Sequence, residues 1–153
     1  MRRKEKQMTD MADIRSVIEK SVVCRLGMVD GDRPYMVPLC FGYRNDTLYF
    51  HSAAKGRKID ILRNNPNVCF EFDGSIAAVP SEKGCSWSMN FQSVIGFGQA
   101  VFIEDPEEKR TALAAIMAQY TDRIFAFPEK NISATAVFKV KIETITGKRS
   151  GTF

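Results

Sequence analysis

The stretch MNFQSVIGFGQAVFI, residues 89–103, is a long β-type run with Gly96 and Gly98 in its middle. The missing side chains at these glycines permit a bend, a bulge or the close approach of a ligand. A single strand of this length has to curl, and a curled strand indicates a barrel rather than a flat sheet. The rest of the chain is interpreted from this strand outward.

The runs on either side also favour an antiparallel barrel. β-rich runs at residues 22–29, 34–43, 47–51 and 68–72 precede the long strand, and an alternating run at residues 134–145 follows it. Turn sequences such as Asp30-Gly31-Asp32 join neighbouring runs. Residues 73–87 are predicted to be an irregular connection.

Short helices are predicted between the strands. Apolar spacing indicates one over residues 9–20, one that starts after the loop at residues 52–58, and one that starts at Asp105. We therefore predict a mainly β protein: a small, closed or partly open antiparallel barrel of about six strands with short peripheral helices.

Composition limits the class of protein. The 153 residues are 44% hydrophobic and carry a net charge of +4, which suits one domain over residues 1–153 and is too weakly basic for a nucleic-acid binder. No apolar run approaches the roughly 20 residues of a membrane span. No hydrophobic signal segment follows residues 1–8, which we expect to be a flexible basic arm. We expect a cytoplasmic protein without nucleic-acid or membrane partners.

Disulfide and metal chemistry are not expected. Cys24, Cys40, Cys69 and Cys85 stand far apart without a C-x-x-C pair, so we interpret them as reduced, mostly buried thiols. With His51 as the single histidine, no protein-only metal site is expected.

The segment YFHSAAKGRK, residues 49–58, has the features of a phosphate site. A strand ends in a loop of small residues and a helix begins, so backbone N–H groups and a helix N-terminus can face an anion. Ser52 adds a hydroxyl, and Lys55, Arg57 and Lys58 add cations. A solvated basic turn is an equally weighted alternative.

Other features have both a functional and a structural interpretation. Pro38 places residues 36–41 at a sheet edge or a bulge, where backbone groups are free for a ligand. His51 could donate a proton or contact a cofactor, or it could be structural. Trp87 could cover an aromatic ligand or simply pack.

Together these segments resemble the pyridoxamine 5'-phosphate oxidase-like flavin-binding split barrels, and among them the nitroimidazole-resistance branch. The resemblance covers nearly the whole chain and implies a split β-barrel of Greek-key type. It rests on the motifs MRRK (1–4), CRLGM (24–28), PYMVPL (34–39), LYFHSA (48–53), GRK (56–58), NPNVCF (65–70) and SVIGFG (93–98).

The resemblance implies a homodimer with flavin sites in the grooves between subunits, and FMN as the cofactor in preference to FAD or haem. It places the flavin ring against the backbone of Val37, Pro38 and Leu39, and brings Gln92 and Ser93 from the partner subunit. The ribityl phosphate would lie near His51, Ser52, Ala53, Lys55, Arg57 and Lys58.

The implied activity is reduction of a nitro group on a small aromatic substrate, with a nicotinamide electron donor and His51 as the catalytic candidate. Tyr35 and Cys40 stand where true pyridoxamine-phosphate oxidases carry an arginine and a lysine, so a vitamin B6 substrate is not expected. The alternative is a flavin- or haem-binding module that senses, stores or carries its cofactor without turnover.

Overall fold

The computed structural model describes residues 3–151, which form one antiparallel sheet of eight strands. The strands are β1 (Gln7–Met8), β2 (Cys24–Asp30), β3 (Arg33–Leu39), β4 (Gly42–Arg44), β5 (Thr47–Ala53), β6 (Asn67–Val79), β7 (Ser88–Ile103) and β8 (Thr135–Ser150). Their order is β3-β2-β6-β7-β8-β5-β4, and β1 pairs with β8. The sheet is not closed, because β3 and β4 form its two edges.

Short helices lie around this sheet: α1 (Met11–Lys20), α2 (Arg57–Asn64), α3 (Pro106–Ala118) and α4 (Glu129–Ala134). Asp10 caps α1 by accepting a hydrogen bond from the N–H of Ala12 at 2.8 Å. The prediction of a mainly β, antiparallel split barrel with short peripheral helices is confirmed. α4 was not predicted.

The long strand β7 pairs with β6 on one side and β8 on the other, and Gly96 and Gly98 lie within both pairings. A Cβ at Gly96 would overlap the ring of Phe70, and a Cβ at Gly98 would overlap the carbonyl oxygen of Lys141. Beside Gly98 the register with β8 shifts, which is the signature of a β-bulge. The bulge that these glycines were expected to permit is therefore present at Gly98.

Aromatic rings fill the barrel. Phe41 packs on Phe72 with ring centroids 4.9 Å apart, and Phe50 packs on Phe138 at 5.1 Å. All four side chains are fully buried. Because the interior is filled by these rings, a cofactor has to bind on the outside of the barrel.

The end of α3 fastens the N-terminal helix to the barrel. The Gln119 side-chain amide donates a hydrogen bond to the carbonyl oxygen of Ser21 at 3.0 Å. The adjacent Tyr120 hydroxyl donates to the carbonyl oxygen of Val22 and accepts from the N–H of Phe41, both at 3.0 Å. These bonds satisfy backbone groups that no neighbouring strand reaches.

The sequence underestimates the number of strands, which was predicted to be about six. The run at residues 34–43 forms two strands, because β3 ends at Leu39 and β4 begins at Gly42. Between them Phe41 enters the core, and its N–H bonds to Tyr120 instead of to a strand. The other additional strand is β1.

Other boundaries also differ from the prediction. The run at residues 68–72 continues to Val79, because β6 keeps pairing with β7, so only residues 80–87 remain as the connection. β2 begins at Cys24, after the exposed Val22. The final strand runs over Thr135–Ser150 instead of residues 134–145.

The expected flexible arm is wrong for residues 3–8. Lys4–Lys6 form a 3-10 turn, and β1 pairs with β8 through Gln7 and Met8. Met8 is buried, and Gly147 opposite it lets the two strands approach closely. Met1 and Arg2, which belong to the quoted MRRK motif, lie outside the described residues.

The prediction that the cysteines are mostly buried is also wrong. All four are free thiols, but only Cys24 is buried; Cys69 is half-buried, and Cys40 and Cys85 are exposed. Cys40 lies at the break between β3 and β4, and Cys85 lies in the β6–β7 connection. Among the described residues, no helix combines the length and apolar character needed to cross a membrane.

We expect Gly96→Ala to lower the free energy of unfolding by about 1–3 kcal/mol, because the added methyl group overpacks the core against Phe70. Gly84→Ala is the matched control, since its Cβ would meet no atom within 4 Å. Urea unfolding followed by far-UV circular dichroism measures both variants. Equal stability of the two variants would contradict this account of β7.

Candidate functional site

The segment at residues 49–58, called the basic loop below, comprises the end of β5, the turn that follows it and the first two residues of α2. β5 ends at Ala53 and α2 begins at Arg57, with exposed residues between them. Gly56 precedes α2 with a φ of 133°, a conformation that side-chain-bearing residues rarely adopt. No atom lies within 4 Å of where its Cβ would be, so the space beside Gly56 is open.

The N-terminus of α2 has no side-chain cap. Its first residues, Arg57 and Lys58, therefore keep backbone N–H groups without an intrahelical acceptor. Such groups, together with the positive end of the helix dipole, favour an anion. The geometry here is that of a phosphate cradle open to solvent.

The second predicted segment, Val37, Pro38 and Leu39, lies in β3. Within residues 3–151 this strand pairs only with β2, so it forms one edge of the sheet. The prediction that Pro38 lies at an edge is confirmed. One side of β3 is therefore without a neighbouring strand and can face a ligand through its backbone.

Arg57 joins these two segments. Its guanidinium donates two hydrogen bonds to Asp30 Oδ2, from Nε at 3.1 Å and from Nη2 at 3.0 Å. The same group lies 4.7 Å from the ring centroid of Tyr35 in β3. The start of α2 is thereby held beside the β3 edge. Because the ion pair is largely exposed, its contribution to stability is about 0–1 kcal/mol.

His51 lies near the end of β5, next to Lys58 of α2. Partial burial, followed by the positive charge of Lys58, lowers the pKa of His51 below its usual 6.5. Burial also lowers the pKa of Lys58. At neutral pH the imidazole is therefore neutral and can both donate and accept a hydrogen bond.

Ser52, Ala53 and Lys55 complete the predicted set in the basic loop. Ser52 is half-buried, whereas Ala53 and Lys55 are exposed. No hydrogen bond or ion pair within residues 3–151 occupies the Lys55 or Lys58 ammonium groups. The hydroxyl, the free ammonium groups and the open helix terminus fit the phosphate of a flavin nucleotide.

Gln92 and Ser93 lie elsewhere in the same chain. Ser93 is opposite Lys148 on β8, whereas His51 is opposite Val137 on that strand. These two positions are about 36 Å apart along an extended strand. Along β8, one chain therefore does not place Gln92 and Ser93 beside the basic loop.

The outer face of the sheet was not recognised from the sequence. We define it by one row of cross-strand neighbours on five strands: Met36, Gly27, Cys69, Phe97 and Thr144. Met36 and Phe97 in this row are 62% and 53% exposed. The alternating apolar positions of β7 were the available signal, because half of them must face away from the core.

A charged cluster on the same face was also missed. Arg25 in β2 is 3.1 Å from the Glu71 carboxylate in β6 and forms a second ion pair with Asp73. Burial, reinforced by the neighbouring Asp73, raises the pKa of Glu71 to about 7. Sequence spacing alone does not reveal this cluster, because it depends on the β2–β6 register.

An open antiparallel barrel with short peripheral helices, whose uncapped α2 start lies beside a free sheet edge, defines the class of split-barrel proteins. The chain belongs to the pyridoxamine 5'-phosphate oxidase family, whose model matches residues 10–149. The sequence resemblance to this family is confirmed.

The chain is similar to a candidate 5-nitroimidazole antibiotic resistance protein from Bacteroides thetaiotaomicron. The two are 40% identical with a TM-score of 0.85, over 93% of this chain and 85% of that one. An uncharacterized protein of Rhizobium meliloti strain 1021 is 26% identical over 97 residues, which are 50% of this chain and 64% of that protein. The chain thus spans less than two thirds of this curated relative.

Two more distant structures share the fold. A flavocytochrome from Azotobacter vinelandii is 21% identical with a TM-score of 0.87, over 99% of this chain and 72% of that one. An FAD and heme binding protein from Mycobacterium smegmatis is 19% identical with a TM-score of 0.87, over 97% and 75% of the two chains.

We expect the single histidine signal to titrate below pH 6.5, since burial and Lys58 both disfavour the imidazolium. Its contribution to stability is complete above about pH 6.5 and is lost as the pH falls through the lowered pKa. Lys58→Met should raise this pKa without fully restoring it, because burial is the larger cause. NMR titration of the His51 ring protons measures the pKa in the wild-type protein and in Lys58→Met, with Lys55→Met as the control. An equal change of the His51 pKa in the two lysine variants would contradict the contribution assigned to Lys58.

Proposed function

We propose that this protein is an FMN-dependent oxidoreductase that acts as a homodimer and reduces the nitro group of a small aromatic substrate. A nicotinamide is the proposed electron donor, and the cytoplasm is the proposed compartment. The observation that carries the proposal is the junction at Arg57, where an uncapped helix N-terminus lies beside a free sheet edge. Family membership and the similarity to the Bacteroides protein support the substrate class.

In the proposed site, two parts of the chain hold the cofactor. The start of α2, with Ser52, Lys55 and Lys58, binds the phosphate through N–H groups, a hydroxyl and cations. The backbone of residues 37–39 at the β3 edge faces the ring. FMN, when bound, supplies electron transfer between a nicotinamide and an aromatic acceptor.

His51 has a separate task in this proposal. Its neutral imidazole can donate an N–H hydrogen bond to a nitro oxygen. As that oxygen becomes basic, this nitrogen gives up its proton while the other ring nitrogen takes one from water, so the ring stays neutral. The lowered pKa suits such a relay, because it keeps the ring neutral, with one nitrogen protonated and the other free to accept a proton. His51 is thus proposed as the catalytic residue.

The outer face supports the proposed homodimer. Ile95 and Phe97 are exposed neighbours along β7, and Met36 extends the apolar surface to β3. Exposed apolar patches of this kind mark interaction sites. A second copy on this face would cover them and bring the partner subunit's Gln92 and Ser93 toward the grooves beside the sheet.

A second candidate function is a flavin- or haem-binding module without turnover. The specific observation in its favour is that the imidazole of His51 is neutral and only partly covered, as that of a haem-ligating histidine has to be. An absorption spectrum of the purified protein separates the two candidates. Paired flavin bands and rapid reduction by NADH or NADPH support the oxidoreductase, whereas a Soret band or an inert flavin supports the module.

We expect Arg57→Ala combined with Lys58→Ala to weaken FMN binding by about 1.5–3 kcal/mol for each cation that touches the phosphate. Arg57 should contribute at the lower end, because Asp30 already shares its charge. Equilibrium dialysis measures the affinity. Lys20→Ala with Lys130→Ala is the control, since it removes the same charge at exposed positions outside the loop. Unchanged affinity in the loop variant would refute the phosphate assignment.

We expect Phe97→Arg to give a monomer, because it would bury an unpaired guanidinium between two copies of the outer face. Ile124→Arg is the matched control, since Ile124 is 100% exposed in the loop after α3. Light scattering coupled to gel filtration measures the mass of each variant. A dimeric Phe97→Arg protein would exclude this face as the subunit interface.

A further inference from the structure

The β6–β7 hairpin projects beyond the barrel with uncovered apolar side chains. The two strands keep pairing past the irregularity that follows Gly74, as far as Val79. On this extension Ile76, Trp87 and Met89 are 60%, 56% and 44% exposed. A hairpin that presents three large apolar side chains to water is suited to contact with another surface.

Trp87 is held in place within this hairpin. Its indole Nε1–H donates a hydrogen bond to the carbonyl oxygen of Ser81 at 2.7 Å, across the hairpin tip. The only polar atom of the side chain is therefore satisfied inside its own chain. What remains exposed is flat, apolar ring surface in a fixed orientation. Preorganised aromatic surface of this kind binds with little loss of conformational entropy.

The hairpin is continuous with the outer face. β7 runs without interruption from Ser88 into the stretch that carries Ser93 and Phe97. Ser93 is one of the two residues that the proposed function brings to the partner subunit's flavin, and Phe97 lies in the proposed subunit interface. Trp87 directly precedes the same strand and therefore lies beyond Ser93 as seen from Phe97. In the proposed dimer, this direction along β7 leads from the subunit interface toward the partner subunit's flavin groove.

We infer that Trp87 forms one wall of the aromatic-substrate site in the other subunit, so that a planar acceptor lies between this indole and the flavin ring. The inference rests on the proposed function and adds a specificity residue to it. Offset stacking on an indole favours a flat, electron-poor ring such as a nitroaromatic compound. A small acceptor without a ring, such as dioxygen, gains nothing from this wall.

A hybrid dimer tests the arrangement. One copy carries Trp87→Leu and an intact basic loop, and the other carries Trp87 with Arg57→Ala and Lys58→Ala. Since Trp87 is the only tryptophan in the sequence, the hybrid contains one indole, and it belongs to the copy whose loop does not hold FMN. Affinity tags of two kinds isolate the hybrid from the parent dimers.

The expected result has a spectroscopic and a kinetic part. Adding FMN to the hybrid should quench its tryptophan emission as strongly as in the loaded wild-type dimer. The KM of its one loaded site for 2-methyl-5-nitroimidazole should equal the wild-type value. In the Trp87→Leu homodimer the FMN affinity should stay unchanged while this KM rises about five- to tenfold, the loss of one aromatic contact.

Two controls limit the interpretation. Phe125→Leu removes an exposed aromatic side chain from the loop after α3 and should change neither FMN affinity nor the nitroimidazole KM. The Trp87→Leu dimer should keep the wild-type mass in light scattering and the wild-type far-UV circular dichroism spectrum, so that a raised KM does not come from lost assembly or folding.

Other outcomes overturn the inference in distinguishable ways. If the hybrid binds FMN but keeps full tryptophan emission, or if its KM matches that of the Trp87→Leu homodimer, Trp87 does not act across the interface and the proposed function still stands. If the wild-type protein is a monomer or binds no FMN, the proposed function fails together with the inference.

Discussion

The contact between Gly96 and the ring of Phe70 is the constraint on which the rest of this structure depends. The ring fills the space that a side chain at position 96 would need, so β7 can pass directly over the core. Only a strand that passes this closely can pair with β6 and β8 along nearly its whole length. The aromatic core, the curl of the sheet and the position of both edges follow from that pairing. A filled barrel leaves its outside as the place for a ligand.

The candidate site forms where the barrel is not closed. One free edge, β3, is held next to the start of α2 by a guanidinium that contacts both a carboxylate and an aromatic ring. None of the three side chains is deeply buried, so the junction is adjustable and a bound anion can compete with Asp30 for Arg57. The neighbouring His51 and Lys58 are tuned by burial, which keeps the imidazole neutral beside a cationic loop.

Local chemistry in the sequence was sufficient for much of this picture. Three features were predictable because each residue type restricts its backbone. They are the close packing at the β7 glycines, the edge position of the β3 proline and the open turn before α2. Features that depend on register could not be predicted in this way. The Arg25 cluster and the outer face exist only because β2, β6 and β7 align as they do. β1 was missed because two residues carry no periodicity, and its pairing depends on Gly147 at the far end of the chain.

The pairing of β1 with β8 has a consequence for synthesis on the ribosome. Gln7 and Met8 reach their partners, Lys148 and Gly147, only after about 140 further residues have been made. Gln119 and Tyr120 likewise donate hydrogen bonds to the carbonyl oxygens of Ser21 and Val22, which lie about a hundred residues earlier in the chain. Before β8 is made, the nascent chain therefore carries an incomplete barrel with open strand edges, and contacts this distant in sequence form slowly. During that interval Met8 and the core aromatic rings have no complete barrel to bury them, and association with other chains competes with folding.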